Sequence, residues 1–307
     1  MESGRHGPPL PTSWTGRAYA TAGPENKGSL GPQFNVSVYK LDSKRITTFT
    51  VETVATIYRA LEASIFLDTR YRCEGALISP EWVLTGANCF GSWPLSLFTV
   101  TLGPNRLALE ACESTSSVEE LLLSPGGPEG SGSGGMALAR LKSPPSLSSA
   151  VQPISLATCS QPSPWWQLCW AQGFEPDFDP YIPPRELHSV PLKPLDIGSC
   201  KDAFRLQPDC LDLKLSLPKG SQCTRLPYSH PELVVSDGTP LVCPQSSLWL
   251  LQGMMTWSRC VGTRLPEVYM PVYPFIPWIR DKVSKATFYA LAKKCPLILP
   301  KTKKRRQ

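Results

Sequence analysis

Cysteine is the reactive residue with the strongest structural implication in this sequence, which has eleven cysteines among 307 residues. Such a number is typical of chains that fold in an oxidising compartment, where cysteines pair as disulfides. No two cysteines have the C-x-x-C spacing, and the three histidines, His6, His188 and His230, have no H-x-x-x-H spacing. Those spacings are common among zinc ligands. The sequence therefore predicts disulfides or free thiols, with no metal and no other cofactor.

Short strands are the elements that must position these cysteines. The chain is 41% apolar and contains 33 prolines and 22 glycines, which favours many short strands joined by turns over long helices. Residues 73–89, C-E-G-A-L-I-S-P-E-W-V-L-T-G-A-N-C, show this pattern most clearly. Two apolar runs are separated by Ser79 and Pro80 and bounded by Cys73 and Cys89, which predicts two buried strands joined by a disulfide.

The segment 73–89 resembles C-G-G-x-L-I-x-x-x-W-V-L-T-A-A-H-C, the first-barrel signature of the trypsin-like serine peptidases. Other segments resemble motifs of the same family in the same order. Residues 169–174 (C-W-A-Q-G-F) are similar to C-W-V-T-G-W-G, and residues 235–243 (V-S-D-G-T-P-L-V-C) to G-D-S-G-G-P-L-V-C. Residues 255–260 (M-T-W-S-R-C) and 266–269 (P-E-V-Y) resemble V-S-W-G-x-G-C and P-G-V-Y. The proline-rich sequence between these motifs resembles that of the prostasin, tryptase and polyserase branch of the family.

The resemblance implies an all-β fold of two six-stranded antiparallel β-barrels of the chymotrypsin and trypsin type with a C-terminal α-helix. Apolar residues at spacings of three and four from Ile276 to Ala286 also predict that closing helix. The predicted divisions are a poorly ordered leader at 1–52, a peptidase-like domain at 53–285 (first barrel about 54–160, second barrel about 161–274, closing helix about 274–291) and a basic tail at 292–307.

Three positions carry the chemistry of the resembled family, and this chain has a different residue at each. Asn88 stands at the position of the catalytic His, Gly135 at that of the Asp that orients it, and Asp237 at that of the nucleophilic Ser. Hydrolysis by this machinery needs a hydroxyl, an imidazole and a carboxylate in those roles. Val235 replaces a Gly of the oxyanion hole, and Ser236 replaces the Asp that pairs with the new N-terminus in cleaved members. The resemblance therefore implies a site without a triad.

The specificity pocket of the family is also implied by the resemblance. Its candidate lining residues here are Trp257, Ser258, Glu267 and Asp237. Glu267 stands at the Gly of P-G-V-Y, so its carboxylate should narrow the pocket and make it acidic. Two carboxylates in a partly desolvated cleft favour a cation, which predicts capture of a Lys or Arg side chain without cleavage. In the alternative interpretation, Glu267 pairs with Arg259 or Arg264 and fills the pocket from within.

Three disulfides follow from the resemblance, position by position. The implied pairs are Cys73 with Cys89, Cys169 with Cys243, and Cys200 with Cys223. The resemblance gives no pairing for the remaining cysteines, which are Cys112, Cys159, Cys210, Cys260 and Cys295.

The expected function is that of an inactive serine peptidase homologue that binds protein partners or regulates them. Two alternatives stay open: a serine endopeptidase with residual activity through an unmatched base, and an inert module of a multi-domain, polyserase-like precursor. The cysteine content and the N-V-S sequon at Asn35 favour a secreted glycoprotein. Residues 1–25 contain no uninterrupted apolar run of seven, so no signal peptide is visible, and no run is long enough to span a membrane. We therefore expect a missing or replaced start, or a fragment of a larger secreted precursor.

The basic tail is the last feature with a functional implication. The lysines and arginines at 293–306 exceed the net charge of +6, so the tail is suited to contact polyanions such as glycans or lipid headgroups. A solvated tail without a ligand is the alternative. No motif predicts specific recognition of a nucleic acid.

Overall fold

The computed structural model describes three N-terminal strands and much of the chain between residues 61 and 289. The described residues are 18–22, 34–39, 46–50, 61–104, 107, 114–125, 135–159, 169–174, 187–205, 217, 220–226, 233–245, 248–257 and 265–289.

The first three strands form a sheet of their own. They are β1 (Ala18–Ala22), β2 (Phe34–Tyr39) and β3 (Ile46–Thr50), with β2 in the centre and both pairings antiparallel. They lie within 1–52, where the composition predicts little order. The alternation F-N-V-S-V-Y in β2 is the local pattern that favours a strand. Asn35, the glycosylation candidate, is the second residue of β2.

Six antiparallel strands close into the first barrel. They are β4 (Glu62–Leu67), β5 (Arg70–Ser79), β6 (Trp82–Gly86), β7 (Phe98–Leu102), β8 (Ser114–Leu123) and β9 (Met136–Leu141). Their spatial order is β4-β5-β6-β9-β8-β7, and β7 pairs back onto β4. Buried apolar side chains such as Ile65, Leu77 and Phe98 form its core. Closure removes the exposed strand edges that such apolar strands would otherwise present.

A second ring of six antiparallel strands follows. The strands of this half are β10 (Ser155–Ala157), β11 (Cys169–Gly173), β12 (His188–Leu195), β13 (Gln222–Arg225), β14 (Pro240–Gln245), β15 (Leu248–Trp257), β16 (Glu267–Pro271) and β17 (Phe288–Tyr289). The sheet order is β14-β11-β12-β13-β16-β15-β10-β17, and the pairing of β14 with β15 closes the six strands β11 to β16. The short strands β10 and β17 extend the sheet in parallel. The predicted fold of two six-stranded antiparallel barrels is confirmed.

Among the described residues, two α-helices accompany the second barrel: α1 (Ile197–Arg205) and the C-terminal α2 (Ile276–Lys282). The predicted closing helix is present but shorter than 274–291. At Val283 the backbone becomes extended, with φ −120° and ψ 97°, and the following residues lead into β17. Pairing of β17 with β10 therefore overrides the helical periodicity that continues as far as Ala286.

The two barrels pack against each other through a shared apolar core. Leu84 and Leu138 of the first barrel belong to the same buried cluster as Trp170 and Leu251 of the second, and Ile279 of α2 completes it. This core holds the facing ends of both barrels in fixed positions, because protein interiors are close-packed.

Three disulfides join the pairs that the resemblance implies. They are Cys73–Cys89, Cys169–Cys243 and Cys200–Cys223. Cys159 is disulfide-bonded as well, and Cys112, Cys210, Cys260 and Cys295 lie outside the described residues.

Candidate functional site

Asn88 and Gly135 lie together at one end of the first barrel. Asn88 is the middle residue of a 3-10 helix (Ala87–Cys89) that directly follows β6, and its side chain is exposed. Gly135 directly precedes β9, and its carbonyl oxygen accepts a 2.8 Å hydrogen bond from the Ala87 N–H. The structure therefore brings two of the three predicted site positions together. An exposed amide and a backbone carbonyl are the groups they offer there.

Asp237 lies on a tight turn that precedes β14. The Gly238 N–H donates to the Met255 carbonyl at 2.6 Å, which attaches the turn to β15. The Asp237 carbonyl accepts a 3.0 Å hydrogen bond from the Glu74 N–H of β5. Residue 237 is therefore held between the two barrels.

Glycine is required at position 238 by two separate constraints. Its φ is +78°, a conformation that side chains with a Cβ rarely adopt. A Cβ would also overlap the Glu74 carbonyl oxygen and the Thr85 hydroxyl oxygen. The turn can therefore approach the first barrel this closely only with Gly238.

The Asp237 carboxyl group occupies an electrostatically unusual place. Its Oδ1 atom is buried and has no hydrogen-bond partner among the described residues. Burial raises the pKa of Asp237 above its ordinary value of 3.8, while the positive charge of Arg72 opposes that rise. Arg72 is exposed, and its Nε donates to the Cys89 carbonyl at 3.3 Å. One cation therefore connects the surroundings of Asp237 with the segment that carries Asn88.

The neighbours of Asp237 also differ from what hydrolysis requires. Ser236 is 9% exposed, and its Oγ lies 2.7 Å from the Tyr71 hydroxyl, so this hydroxyl is engaged in a hydrogen bond. Among the described residues other than glycine, Asp68 alone has a positive φ, so Val235 keeps an ordinary negative φ. A β-branched residue at 235 is compatible with that backbone.

Glu267 lies nearby in the same barrel, at the start of β16. It is 8% exposed, and its Oε2 accepts a long hydrogen bond of 3.5 Å from Thr224 Oγ1 on β13. Burial raises the pKa of Glu267 from 4.5 to about 7, against smaller opposing effects of hydrogen bonds and of Arg225. The fully buried Tyr269 has its pKa raised well above its ordinary value by burial and by the nearby charge of Glu267. Glu267 is thus an internal carboxyl group.

The other predicted site residues are placed only in part. Trp257 ends β15, and its Cα pairs with Val268, beside Glu267 on the adjacent strand. Ser258 and the arginines at 259 and 264 lie outside the described residues. His188 begins β12 opposite Gly173, and His6 and His230 lie outside the described residues.

Two residues of this region, Tyr71 and Arg72, lie outside the family motifs, and a third, Glu74, departs from one. Arg72 and Tyr71 stand before Cys73 in a stretch without a motif, so nothing in the sequence connects them with a turn 165 residues away. Glu74 did carry a signal, because C-E-G departs from C-G-G at that position. An acidic residue next to a cysteine inside a buried strand indicates a specific hydrogen-bond partner.

The two six-stranded antiparallel barrels define the trypsin-like class, and comparison with known proteins agrees. The family model described as Trypsin matches residues 52–279, so the chain belongs to the trypsin family. The chain is 28% identical to human serine protease 41 over 237 residues, which cover 74% of this chain and 73% of that protein. It is also 28% identical to human kallikrein-11 over 233 residues, which cover 73% of this chain and 76% of that protein.

Metal sites and membrane-spanning helices are two other kinds of functional element that such a chain could contain. Within the described part of the chain, no group of three or more His, Cys, Asp or Glu residues is arranged to hold a metal ion. In that same part, no helix has both the length and the apolar character needed to cross a membrane.

Proposed function

We propose that this protein is an inactive serine peptidase homologue, secreted from the cell, that binds or regulates protein partners through its cleft. The observation that carries the proposal is Asp237: its carboxyl group is half-buried, and its Oδ1 has no hydrogen-bond partner among the described residues. The motif resemblance assigns this residue to the position of the family's nucleophilic serine. The disulfides agree with a secreted route.

The surroundings of Asp237 support the absence of hydrolysis. The amide of Asn88 cannot accept a proton as a base, and Gly135 has no side chain to orient one. An Asp237 carboxylate would repel the oxyanion that forms during acyl transfer. Ser236, the nearest hydroxyl group in sequence, is buried and bonded to Tyr71.

The same features support binding of a cation. Asp237 is the more accessible of the two predicted carboxyl groups, because Glu267 is 8% exposed and bonded to Thr224. A Lys or Arg side chain from a partner protein would pair with the carboxyl group of Asp237 through a charge-assisted hydrogen bond. Glu267, with Trp257 and Ser258, would shape the pocket beneath it.

Absence of hydrolysis is tested with the purified full chain. It should not turn over chromogenic Arg, Lys, Phe or Ala substrates, and a fluorophosphonate should not label it. The matched control is Ser236→Ala, which removes the adjacent hydroxyl group. Fluorophosphonate labelling that disappears in Ser236→Ala would show that the chain has a working nucleophile after all, and would favour the residual-endopeptidase alternative.

A restored triad tests how many parts are missing. The variant Asn88→His, Gly135→Asp, Asp237→Ser should remain nearly inactive, because Ser236 cannot pair with a new N-terminus as the family's Asp does and Val235 leaves the oxyanion hole unbuilt. Turnover within about tenfold of trypsin in this triple variant would mean that the triad was all the site lacked.

Cation capture is tested with peptides of defined composition. Lysine- or arginine-containing peptides should bind at least about tenfold more tightly than the same peptides with norleucine or citrulline. Asp237→Asn should abolish that preference, and Asp202→Asn on the exposed surface of α1 should preserve it. Equal affinities for charged and neutral peptides would exclude the cleft as a cation site.

A further inference from the structure

Glu74 is a buried acidic residue with an unusual set of partners. It is 1% exposed on β5, and its Oε1 accepts hydrogen bonds of 2.8 Å from both Ser64 Oγ on β4 and the Tyr71 hydroxyl. A buried carboxyl group is costly unless hydrogen bonds compensate for its lost hydration. Two hydroxyl donors on one oxygen supply that compensation. We call Ser64, Tyr71, Glu74 and Ser236 the Glu74 junction.

In the Glu74 junction, every side-chain hydrogen bond is donated towards Glu74. A Tyr hydroxyl has a single hydrogen, and Tyr71 donates it to Glu74. In the 2.7 Å contact between Tyr71 and Ser236, the serine must therefore be the donor. The chain of bonds runs from Ser236 through Tyr71 to Glu74 and so crosses from the second barrel to the first.

Hydrogen bonds to the backbone also connect the two barrels at this point. The Glu74 N–H donates to the Asp237 carbonyl at 3.0 Å, and the Thr85 hydroxyl donates to the Glu74 carbonyl at 2.6 Å. Gly238 lies directly against that carbonyl oxygen. Three successive residues, 236 to 238, thus contact either Glu74 itself or a side chain bonded to it.

The ring of Tyr71 adds an apolar contact between the first barrel and the segment near the Asp237 turn. It packs edge-on against Phe174 with ring centroids 5.8 Å apart, and Phe174 exchanges two backbone hydrogen bonds with Val234, close to the Asp237 turn. Tyr71 therefore holds both the turn and its flanking segment.

We propose that the Glu74 junction positions Asp237, so that the turn takes its conformation from the first barrel through Tyr71 and Glu74. Tyr71 and Glu74 are positioning residues in this arrangement, since they act on Asp237 through Ser236 and the backbone. The inference concerns the conformation of the turn and does not require that a partner binds there.

Tyr71→Phe and Ser236→Ala test this in the full chain, each removing one hydroxyl group of the crossing. Amide hydrogen exchange at Glu74, Gly238 and Thr239 reports opening of the turn. Each variant should accelerate that exchange by roughly tenfold, since each removes the hydrogen bond between Tyr71 and Ser236 that joins the turn to the first barrel. The double variant should add little more, because both changes break the same chain of bonds.

A second readout separates positioning from a general loss of stability. Water should reach a released turn, so an NMR titration should show the pKa of Asp237 falling towards its ordinary value in both variants. The matched control is Ser116→Ala, a 4% exposed serine of the first barrel whose Oγ bonds to the backbone of Ser117 and Ser143. It should leave the Asp237 titration and the turn exchange unchanged.

Two results would overturn the inference. One is an unchanged Asp237 titration and unchanged exchange in both Tyr71→Phe and Ser236→Ala. The other is an equal effect of Ser116→Ala, which would attribute the changes to overall destabilisation of the barrel. Both are distinguishable from failure of the proposed function, because neither measurement uses a substrate or a partner.

Discussion

Glu267 makes the stability of the second barrel depend on pH near neutrality. In the folded protein its pKa is raised to about 7 by burial, whereas the ordinary value is 4.5. Between these two pH values the unfolded chain releases the proton and the folded chain keeps it. The contribution of Glu267 to the free energy of unfolding is therefore complete below pH 4.5 and is lost as the pH rises through about 7.

The size of this effect on the free energy of unfolding follows from the difference between the two pKa values of Glu267. A difference of one between the pKa values of the folded and unfolded states corresponds to about 1.4 kcal/mol of free energy of unfolding. A rise from 4.5 to about 7 therefore costs about 3 kcal/mol once the group is ionised in both states. Most of that loss, about 2–3 kcal/mol, should fall between about pH 5 and pH 8.

Glu267→Gln isolates this effect, because glutamine has nearly the same shape and stays neutral. Urea unfolding of both proteins from pH 5 to pH 8 gives the free energy of unfolding by linear extrapolation. The variant should be more stable than the wild type by about 3 kcal/mol at pH 8, and the difference should shrink to about 1 kcal/mol at pH 5.

A surface substitution serves as the control for loss of one negative charge. Glu119→Gln removes a half-exposed carboxylate that pairs with Arg140 at 3.4 Å, and it should change stability by less than about 1 kcal/mol. A Glu267→Gln protein with the same pH slope as the wild type would refute the reasoning, since the slope would then arise elsewhere.

Two further predictions concern the turn and the second-barrel disulfide. Gly238→Ala should destabilise the protein by about 3 kcal/mol in urea unfolding, because it adds both backbone strain and overlap with the first barrel. Gly91→Ala, at φ +56°, adds a Cβ that would meet only the Trp93 side chain at an ordinary contact distance of 3.8 Å, so it should cost only about 1 kcal/mol, and equal losses would show that overlap is unimportant. Replacing Cys169 and Cys243, which are 74 residues apart, by alanine should lower the free energy of unfolding by about 4 kcal/mol, and a loss below about 1 kcal/mol would contradict the chain-entropy account.

Local motifs were sufficient to predict the fold because each describes residues that are close in both sequence and space. The segment 73–89 predicts two strands and a disulfide, and the structure has β5, β6 and Cys73–Cys89 there. Motif order then places Asn88 and Gly135 at one end of a barrel, where the Ala87 N–H meets the Gly135 carbonyl.

Contacts between distant strands were beyond the sequence patterns. The closing helix ends at Lys282 because β17 pairs with β10, a contact across more than 130 residues that periodicity cannot detect. The strands β1 to β3 are a similar case, since composition describes a segment by itself and not its pairings. The engagement of Tyr71 with Ser236 depends on the packing of two barrels.

The residues that match the family motifs and those that depart from them have different physical roles. Gly238 is fixed by its positive φ and by its contact with Glu74, and Trp170 by complete burial in the shared core. These constraints hold whether or not the cleft performs any chemistry. Asn88, by contrast, is exposed, so replacing an imidazole there leaves the packing intact. The motif residues can therefore keep their packing roles in a chain whose site residues differ from those of the family.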